Sequence, residues 1–311
     1  MPDSLLNTTD SGLTGCQAGR YLRLRVAAGF CHRCQCDRDM VSQSMRGLFL
    51  SDLHLFSRRS VGQLRWEQWQ RHVAGTSLLV LGGDIFDFRW SQYRTLSDSV
   101  TAAGHWLQDL LEAHLALTVA YVLGHHDCHP DLQQVLTALA SQDARFKWFE
   151  FHFRLGDSLF LHGDVLDARS PGELQRYRHR FHETRARGAV ANRVYDIAVA
   201  ARLHHVAPRL LHGQQRVCRR LGAIIDAQSM GADQGVRNVF FGHTHRRVSR
   251  FSHNGQVFHN PGAGIRHSPF HPLTLELPQD WRQLLITPPP VCPNQRSELS
   301  QSGSAAPEPA S

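Results

Sequence analysis

Residues 45–55 decide the expected fold, and they read Met-Arg-Gly-Leu-Phe-Leu-Ser-Asp-Leu-His-Leu. The apolar run that begins at Gly47 is typical of a buried strand, and Asp52 and His54 follow it directly. Ligands commonly bind beyond the carboxyl ends of strands in an α/β sheet, so polar residues at this point indicate a candidate site. We therefore predict a first strand over 47–51 and a folded domain that begins at Met45.

Strands and helices alternate after this first strand. Leu107, Leu110 and Leu111 have helical spacing, whereas short apolar runs closed by Gly or Asp are typical of strands. A β-α-β-α-β order favours a mainly parallel sheet, and Gly156-Asp157 and Asn254-Gly255 are typical hairpin turns. The predicted helices span 63–72, 97–114 and 131–139, and the predicted strands span 78–81, 117–123, 148–154, 158–161, 238–241, 248–251, 256–259 and 273–277.

Residues 168–230 interrupt the sheet with a helical segment that is rich in arginine. The stretch 169–220 carries twelve arginines and three acidic residues, with apolar residues such as Val194 and Ile197 between them. Because the sheet pattern resumes afterwards, we interpret the segment as an inserted cap. A solvated helix face explains most of these arginines. An apolar and arginine-rich cap also suits an amphiphilic phosphorylated substrate.

The two ends of the chain differ in composition from its middle. Residues 1–44 lack sustained periodicity, so we predict a poorly structured leader, with Met45 as an alternative start of the protein. The cluster Cys31-x-x-Cys34-x-Cys36 in this leader lacks the distant second ligand pair of a zinc site and is interpreted as incidental. Residues 287–311 are rich in Pro, Ser and Gln, which predicts a disordered tail. The folded domain is therefore expected at 45–286.

Composition indicates a globular, cytoplasmic protein with an anionic partner. Hydrophobic residues make up 41% of the 311 residues and charged residues 20%, and the sequence contains neither an apolar run of about 18 residues nor a secretory signal pattern. The net charge of +7 predicts attraction to phosphorylated metabolites, nucleic acid or an acidic membrane surface. We therefore expect a cytoplasmic location with peripheral contact to the inner membrane. The sequence does not indicate an oligomeric state.

Five short motifs that contain Asp or His follow five of the predicted strands. Each motif alone is compatible with an ordinary turn. All five together are not, because burying so many Asp and His side chains is costly unless they are paired or bind a metal. The motifs are Asp52-Leu53-His54, Gly83-Asp84-Ile85-Phe86-Asp87, Gly124-His125-His126-Asp127, His162-Gly163-Asp164 and Gly242-His243-Thr244-His245.

The order and content of these motifs resemble the calcineurin-like metallophosphoesterase family over residues 46–264. The blocks of that family are Asp-x-His, Gly-Asp, Gly-Asn-His, a lone His and Gly-His-x-His. The resemblance implies an α/β fold in which a metallophosphoesterase-type β-sandwich is flanked by helices, here with an inserted helical cap. It also implies two metal ions, one held by Asp52, His54, Asp84 and His245 and the other held by Asp84, His125, His162 and His243.

The third motif departs from the family pattern, because His125 stands where the family has Asn. Imidazole also coordinates metals and favours Zn, Mn or Fe over Mg, so we expect two divalent transition-metal ions. His126 matches the family histidine that positions the phosphate or protonates the leaving oxygen, and Asp127 is expected to orient it. Two cations about 3.5–4 Å apart would lower the pKa of a bridging water, so that hydroxide attacks phosphorus in line.

Within the family, the chain is most similar to the UDP-2,3-diacylglucosamine diphosphatases, which implies a nucleotide-lipid substrate; other phosphorylated small molecules remain open. This similarity lies in the long helical insert, Ser51-Asp52-Leu53-His54-Leu55, Leu161-His162-Gly163-Asp164 and Gly242-His243-Thr244-His245-Arg246. Two other functions remain open. One is a metal-binding scaffold without turnover, and the other is a metal-dependent nuclease. Few aromatic residues accompany the arginines of the cap, which argues against a nucleic-acid surface.

Overall fold

The computed structural model describes residues 45–168, 170–183, 188–200 and 213–286. The predicted leader 1–44 and the predicted tail 287–311 lie outside the described residues. The strands are β1 (Arg46–Leu50), β2 (Leu78–Gly82), β3 (Thr118–Val122), β4 (Phe146–Phe149), β5 (His152–Leu155), β6 (Ser158–Leu161), β7 (Asn238–Phe240), β8 (Val248–His253), β9 (Gln256–Asn260) and β10 (Leu273–Glu276). The helices are α1 (Gly62–Val73), α2 (Leu96–Ala113), α3 (Pro130–Gln142), α4 (Pro171–Glu183), α5 (Ala189–Ala200), α6 (Gln214–Ala227) and α7 (Trp281–Ile286), and a 3-10 turn spans Asp164–Asp167.

Two five-stranded sheets with flanking helices form the mixed α/β fold that the sequence predicts. The first sheet has the strand order β10-β1-β2-β3-β4, in which β1 to β4 run parallel and β10 pairs antiparallel with β1. The second sheet has the order β5-β6-β7-β9-β8. The predicted β-α-β-α-β start of a parallel sheet is therefore confirmed.

Alternate residues of the first sheet face two different apolar layers. Leu48 and Leu50 of β1 belong to the core that α1, α2 and α3 cover, whereas Phe49 belongs to the core between the two sheets. In β2, Leu79 likewise belongs to the core under the helices, and Val80 belongs to the core between the sheets. Both faces of this sheet are covered, which explains why its strands are continuous apolar runs in the sequence.

Aromatic rings join the two sheets into a sandwich. The ring of Phe49 lies 6.0 Å from that of Phe160 and 5.7 Å from that of Phe240, measured between centroids, so β1 packs against β6 and β7. On the outer face of the second sheet, Cys218 and Leu221 of α6 belong to a third apolar cluster. This clustering makes α6 a layer of the sandwich, although the sequence places it within the predicted cap at 168–230.

One predicted strand is wrong. The sequence predicts a single strand over 148–154, whereas the structure has two, because β4 ends at Phe149 in the first sheet and β5 begins at His152 in the second. Phe149 and Phe153 both pack in the core between the sheets, so the apolar pattern continues across the point where the chain changes sheets. No helix among the described residues combines the length and apolarity needed to cross a membrane.

Candidate metal centre

The predicted site residues meet where strands of both sheets end. Asp52 follows β1 and Asp84 follows β2, while His162 and His243 follow β6 and β7 in the other sheet. Backbone hydrogen bonds join these loops. The amide of Asp52 donates to the carbonyl oxygen of Gly83 at 3.0 Å, and the amide of Gly242 donates to the carbonyl oxygen of His162 at 2.8 Å. The topology thus brings residues from distant parts of the sequence to one edge.

The backbone at several of these residues has the left-handed conformation that only glycine adopts without cost. The φ angles are 53° at Asp52, 46° at His54, 51° at Asp84, 67° at His243 and 54° at His245. Each such residue costs on the order of 1–3 kcal/mol, and strain of this kind concentrates at functional sites. The folded sandwich therefore holds these side chains in conformations that local propensity does not favour.

A first group of candidate ligands contains Asp52, His54, Asp84 and His245, whose ligating atoms lie within 4.8 Å of one another. The Nε2 atoms of His54 and His245 are 3.0 Å apart, and Nε2 of His245 is 3.4 Å from Oδ1 of Asp52. Burial lowers the pKa of His245 well below its usual value, so its imidazole is neutral. A neutral imidazole next to buried carboxylates is a suitable donor set for a divalent metal.

A second group contains His125, His162 and His243, again with ligating atoms within 4.8 Å of one another. Nδ1 of His125 lies 3.3 Å from Nε2 of His162. Both of these nitrogens lie 3.2 Å from Oδ2 of Asp84. Burial lowers the pKa of His125 well below its usual value, which leaves it neutral. The structure therefore places His125, the departure from the family pattern, among the candidate ligands of the second group.

The carboxylate of Asp84 belongs to the first group and also lies 3.2 Å from two members of the second, His125 and His162. It is fully buried, and its Oδ2 atom has no hydrogen-bond partner among the described residues, while Oδ1 accepts from the amide of His126 at 2.8 Å. Burial alone raises the pKa of Asp84, but the neighbouring His125 and His162 outweigh it and hold the pKa well below its usual value. A buried, ionised carboxylate with imidazoles of both groups around it fits a bridging ligand between two cations.

Two glycines allow the buried carboxylates to approach the backbone. A Cβ at Gly124 would lie 2.2 Å from Oδ1 of Asp84, and a Cβ at Gly242 would lie 2.2 Å from Oδ2 of Asp52. Both distances are far below any normal contact, so a side chain at either position would displace a candidate ligand. The glycines of these two motifs are thus required by the packing of the site.

His126 lies beside the two groups and is paired with Asp87. Nδ1 of His126 lies 3.0 Å from Oδ1 of Asp87, and Oδ2 of the same carboxylate lies 3.5 Å from Nδ1 of His54. Burial lowers the pKa of His126, but Asp87 and Asp84 outweigh burial and raise the pKa to about 9. His126 is therefore an imidazolium at neutral pH, with a carboxylate that fixes its orientation.

The carboxylate of Asp127 does not orient His126, which is the role that the sequence predicts for it. Its carboxylate accepts from the amide of Gly124 at 2.8 Å, the amide of Ile85 at 2.7 Å and the hydroxyl of Tyr121 at 2.6 Å. It therefore braces the loops that carry Asp84 and His125, whereas Asp87 contacts the imidazole of His126. Adjacency in the sequence suggested Asp127 as the partner of His126. The second aspartate of the Gly-Asp-Ile-Phe-Asp motif, Asp87, was the better indication of that partner.

Helix α4 packs aromatic side chains on the second group. The ring of Phe181 meets that of His125 edge to face at 4.6 Å and that of His126 at 5.3 Å. The ring of Tyr177 lies 5.6 Å from that of His125. These contacts exclude water from one side of the imidazoles.

A buried ion pair anchors the same helix beneath the site. Arg178 is 4% exposed, and its guanidinium donates to both carboxylate oxygens of Asp164 at 2.7 and 3.1 Å. It also donates to the carbonyls of Glu150 at 2.6 Å and Leu123 at 2.9 Å. Leu123 immediately precedes Gly124, so Arg178 links α4 to the loop that carries His125. No local sequence pattern distinguishes this arginine from the others of the segment 168–230.

Comparison with known proteins shows which family the chain is related to. The model of the Calcineurin-like phosphoesterase family matches residues 45–247. No curated protein matches the chain significantly. Among solved structures, a dimetal phosphatase from Danio rerio is 16% identical, with a TM-score of 0.40 over 76% of this chain and 93% of that one. Vps29 from Chaetomium thermophilum is 11% identical, with a TM-score of 0.31 over 76% of this chain and 100% of that one. Because the family match covers more than half of the chain, the chain belongs to the calcineurin-like phosphoesterase family and is a metal-dependent phosphoesterase.

Proposed function

We propose that this enzyme hydrolyses a phosphate ester or diphosphate bond at two divalent transition-metal ions, either Mn, Zn or Fe. The family uses a dinuclear divalent-metal centre. The observation that carries the proposal for this chain is the sharing of Asp84: its carboxylate lies in the group of His54 and His245 and is 3.2 Å from both His125 and His162.

The metal ions and His126 would have different roles in catalysis. When bound, two cations would activate a water molecule and neutralise the charge of the phosphate. The paired carboxylate of Asp87 keeps the proton of His126 on Nδ1, which leaves the second ring nitrogen to face a substrate oxygen. Because the pKa of His126 is raised to about 9, its imidazolium can donate a proton to the leaving group at neutral pH.

The cap helix α5 supports a substrate with an apolar part. Val190, Val194 and Ile197 are 79%, 63% and 64% exposed, and their spacing of four and three residues puts them on one face of the helix. An exposed apolar stripe of this kind is typical of a surface that binds an apolar partner. Within the proposed activity, we therefore favour a diphosphate that joins a nucleotide to a lipid, such as UDP-2,3-diacylglucosamine. Such an enzyme would act in the cytoplasm at the surface of the inner membrane.

Helix α5 is fixed to the loop that follows the first motif. Arg59 is 2% exposed, and it donates to the side-chain oxygen of Asn192 at 2.8 Å and pairs with Asp196 at 3.2 Å. Its guanidinium lies 4.8 Å from the ring centroid of Trp90 and 4.2 Å from that of Tyr195, and these two rings stack on each other. This attachment holds the apolar stripe near the chain segment that carries Asp52 and His54.

The experiment is a substrate panel on metal-reconstituted protein, comparing phosphomonoesters, phosphodiesters, single-stranded nucleic acid and nucleotide-diphosphate lipids. A variant with Val190→Ser, Val194→Ser and Ile197→Ser tests the stripe, and Leu115→Ser is the matched control because Leu115 is 78% exposed on another surface. We expect kcat/KM for the lipid substrate to fall at least about tenfold in the triple variant, since losing one buried valine costs about 1.5 kcal/mol. Water-soluble phosphoesters should be hydrolysed equally by both variants.

Each of the other results contradicts a definite part of the proposal. Hydrolysis of water-soluble esters without any preference for the lipid substrate would remove the lipid assignment and leave the phosphoesterase. Selective cleavage of nucleic acid would establish the nuclease. Two bound metals without turnover of any substrate in the panel would establish the scaffold.

A further inference from the structure

Asp167 contacts a candidate ligand, although neither the motifs nor the family pattern assigns it a function. It ends the 3-10 turn that follows His162, and its Oδ2 atom lies 2.9 Å from Nε2 of His243. The two residues are 76 positions apart in the chain. A carboxylate at this distance from an imidazole nitrogen forms a hydrogen bond with charge assistance.

The contact with Asp167 determines which nitrogen of His243 is free to bind a metal. Nδ1 of His243 is buried and has no hydrogen-bond partner among the described residues. The amide of His243 donates to both carboxylate oxygens of Asp52, at 2.9 and 3.0 Å, which fixes the backbone. With the proton of the ring held on Nε2 by Asp167, the lone pair lies on Nδ1, which is then the nitrogen that His243 offers to the group with His125 and His162.

We propose that Asp167 is a positioning residue of the second metal, because it holds His243 in the tautomer and orientation that present Nδ1 to that metal. The inference rests on the proposed dinuclear centre. Carboxylates that receive the second N–H of a metal-bound histidine make the imidazole a stronger donor, and their removal typically weakens metal binding about 10-fold to 100-fold.

The cap helix α4 completes this arrangement. The hydroxyl of Tyr177 also hydrogen-bonds Asp167, and its ring lies against that of His125. Tyr177 therefore contacts one ligand of the second group through its ring and reaches another, His243, through the carboxylate of Asp167. This places the support of the second metal partly on the cap, whereas Asp52, His54 and His245 of the first group come from strand ends of the sandwich.

The test measures metal affinity directly. Metal-free wild-type protein, Asp167→Ala, Asp167→Asn and Tyr177→Phe are titrated with Co²⁺, and binding to each site is followed by visible absorption and equilibrium dialysis. Asp109→Ala, which removes an exposed aspartate of α2, is the matched control. Because Asp167 is itself exposed, circular dichroism and the thermal unfolding of the metal-free variants should match those of the wild type.

We expect Asp167→Ala to bind the first Co²⁺ normally and the second about 10-fold to 100-fold more weakly. Asp167→Asn keeps an oxygen acceptor, so its affinity for the second Co²⁺ should fall less. Tyr177→Phe should show the smallest loss of this affinity. Equal affinity for both ions in Asp167→Ala and wild type would overturn the inference and leave the dinuclear centre intact. A wild-type protein that binds only one ion would instead overturn the proposed function. In zinc-loaded protein, ¹⁵N chemical shifts should show the proton of His243 on Nε2, and a proton on Nδ1 would also overturn the inference.

Discussion

Replacing Arg178 with methionine should destabilise the protein strongly. The substitution keeps the volume of the aliphatic stem but removes the partner of Asp164, which is 1% exposed and cannot be solvated without opening the fold. It also leaves the carbonyls of Glu150 and Leu123 without this donor. Removing one partner of a buried ion pair costs about 3–5 kcal/mol, so we expect this loss in the free energy of unfolding.

Urea denaturation of metal-free protein measures this loss without any contribution from metal release. With a slope of about 3 kcal/mol per molar urea, the midpoint should fall by about 1–2 M. Arg176→Met, on an exposed position of the same helix, is the control and should change stability by less than about 0.5 kcal/mol. Adding Asp164→Asn to Arg178→Met should recover part of the loss, because the buried charge is then gone.

The destabilisation should also depend on pH. Burial raises the pKa of Asp164, but Arg178 and His162 outweigh it and lower the pKa, so in the wild type the contribution of Asp164 is present above its unfolded pKa and is lost as pH falls. Without Arg178, burial dominates and Asp164 gains a proton more easily in the folded state. The difference in stability between wild type and variant should therefore shrink below about pH 4. A difference below about 1 kcal/mol at neutral pH would refute the interpretation of Arg178 as a buried anchor.

Two further predictions concern the third motif. His125→Asn should keep substantial activity while metal preference shifts toward Mg or Mn, because an amide oxygen suits harder ions, whereas His125→Ala should lose the second metal; both are measured by metal analysis and steady-state rates. His126→Ala should keep both metals and lower turnover by about 10²-fold to 10⁴-fold, as is typical of a lost acid–base group. If metal content survives His125→Ala and collapses in His126→Ala, the two roles are exchanged.

The strand-end motifs were predictable because each combines two local signals. A continuous apolar run indicates a strand buried on both faces, and the Asp or His that follows it lies at the carboxyl edge where ligands meet. The glycines were equally informative, since Gly124 and Gly242 stand where a Cβ would collide with Asp84 and Asp52. Order along the chain therefore predicted that the motifs meet at one place, and the resemblance to the metallophosphoesterase family supplied the seven candidate ligands.

The supporting contacts were not predictable, because they join residues that no local pattern relates. Asp167 and His243 are separated by 76 positions in the sequence, and Arg178 is 55 positions away from Leu123, whose carbonyl it contacts. Asp127 was assigned to His126 by adjacency, yet the turn after β3 directs its carboxylate back to the amide of Gly124. Side-chain direction in a tight turn depends on backbone angles, which the sequence alone does not specify.

The sharing of Asp84 between two metals is tested most directly by metal analysis of one variant. Wild-type protein, Asp84→Asn and the surface control Asp109→Asn are freed of metal with a chelator, reconstituted with Mn, Zn or Fe, passed over a desalting column and analysed by mass spectrometry. We expect two ions per chain in the wild type and the control, and loss of both ions in Asp84→Asn, because one carboxylate serves both groups. Retention of two ions and full activity by Asp84→Asn would contradict the dinuclear centre.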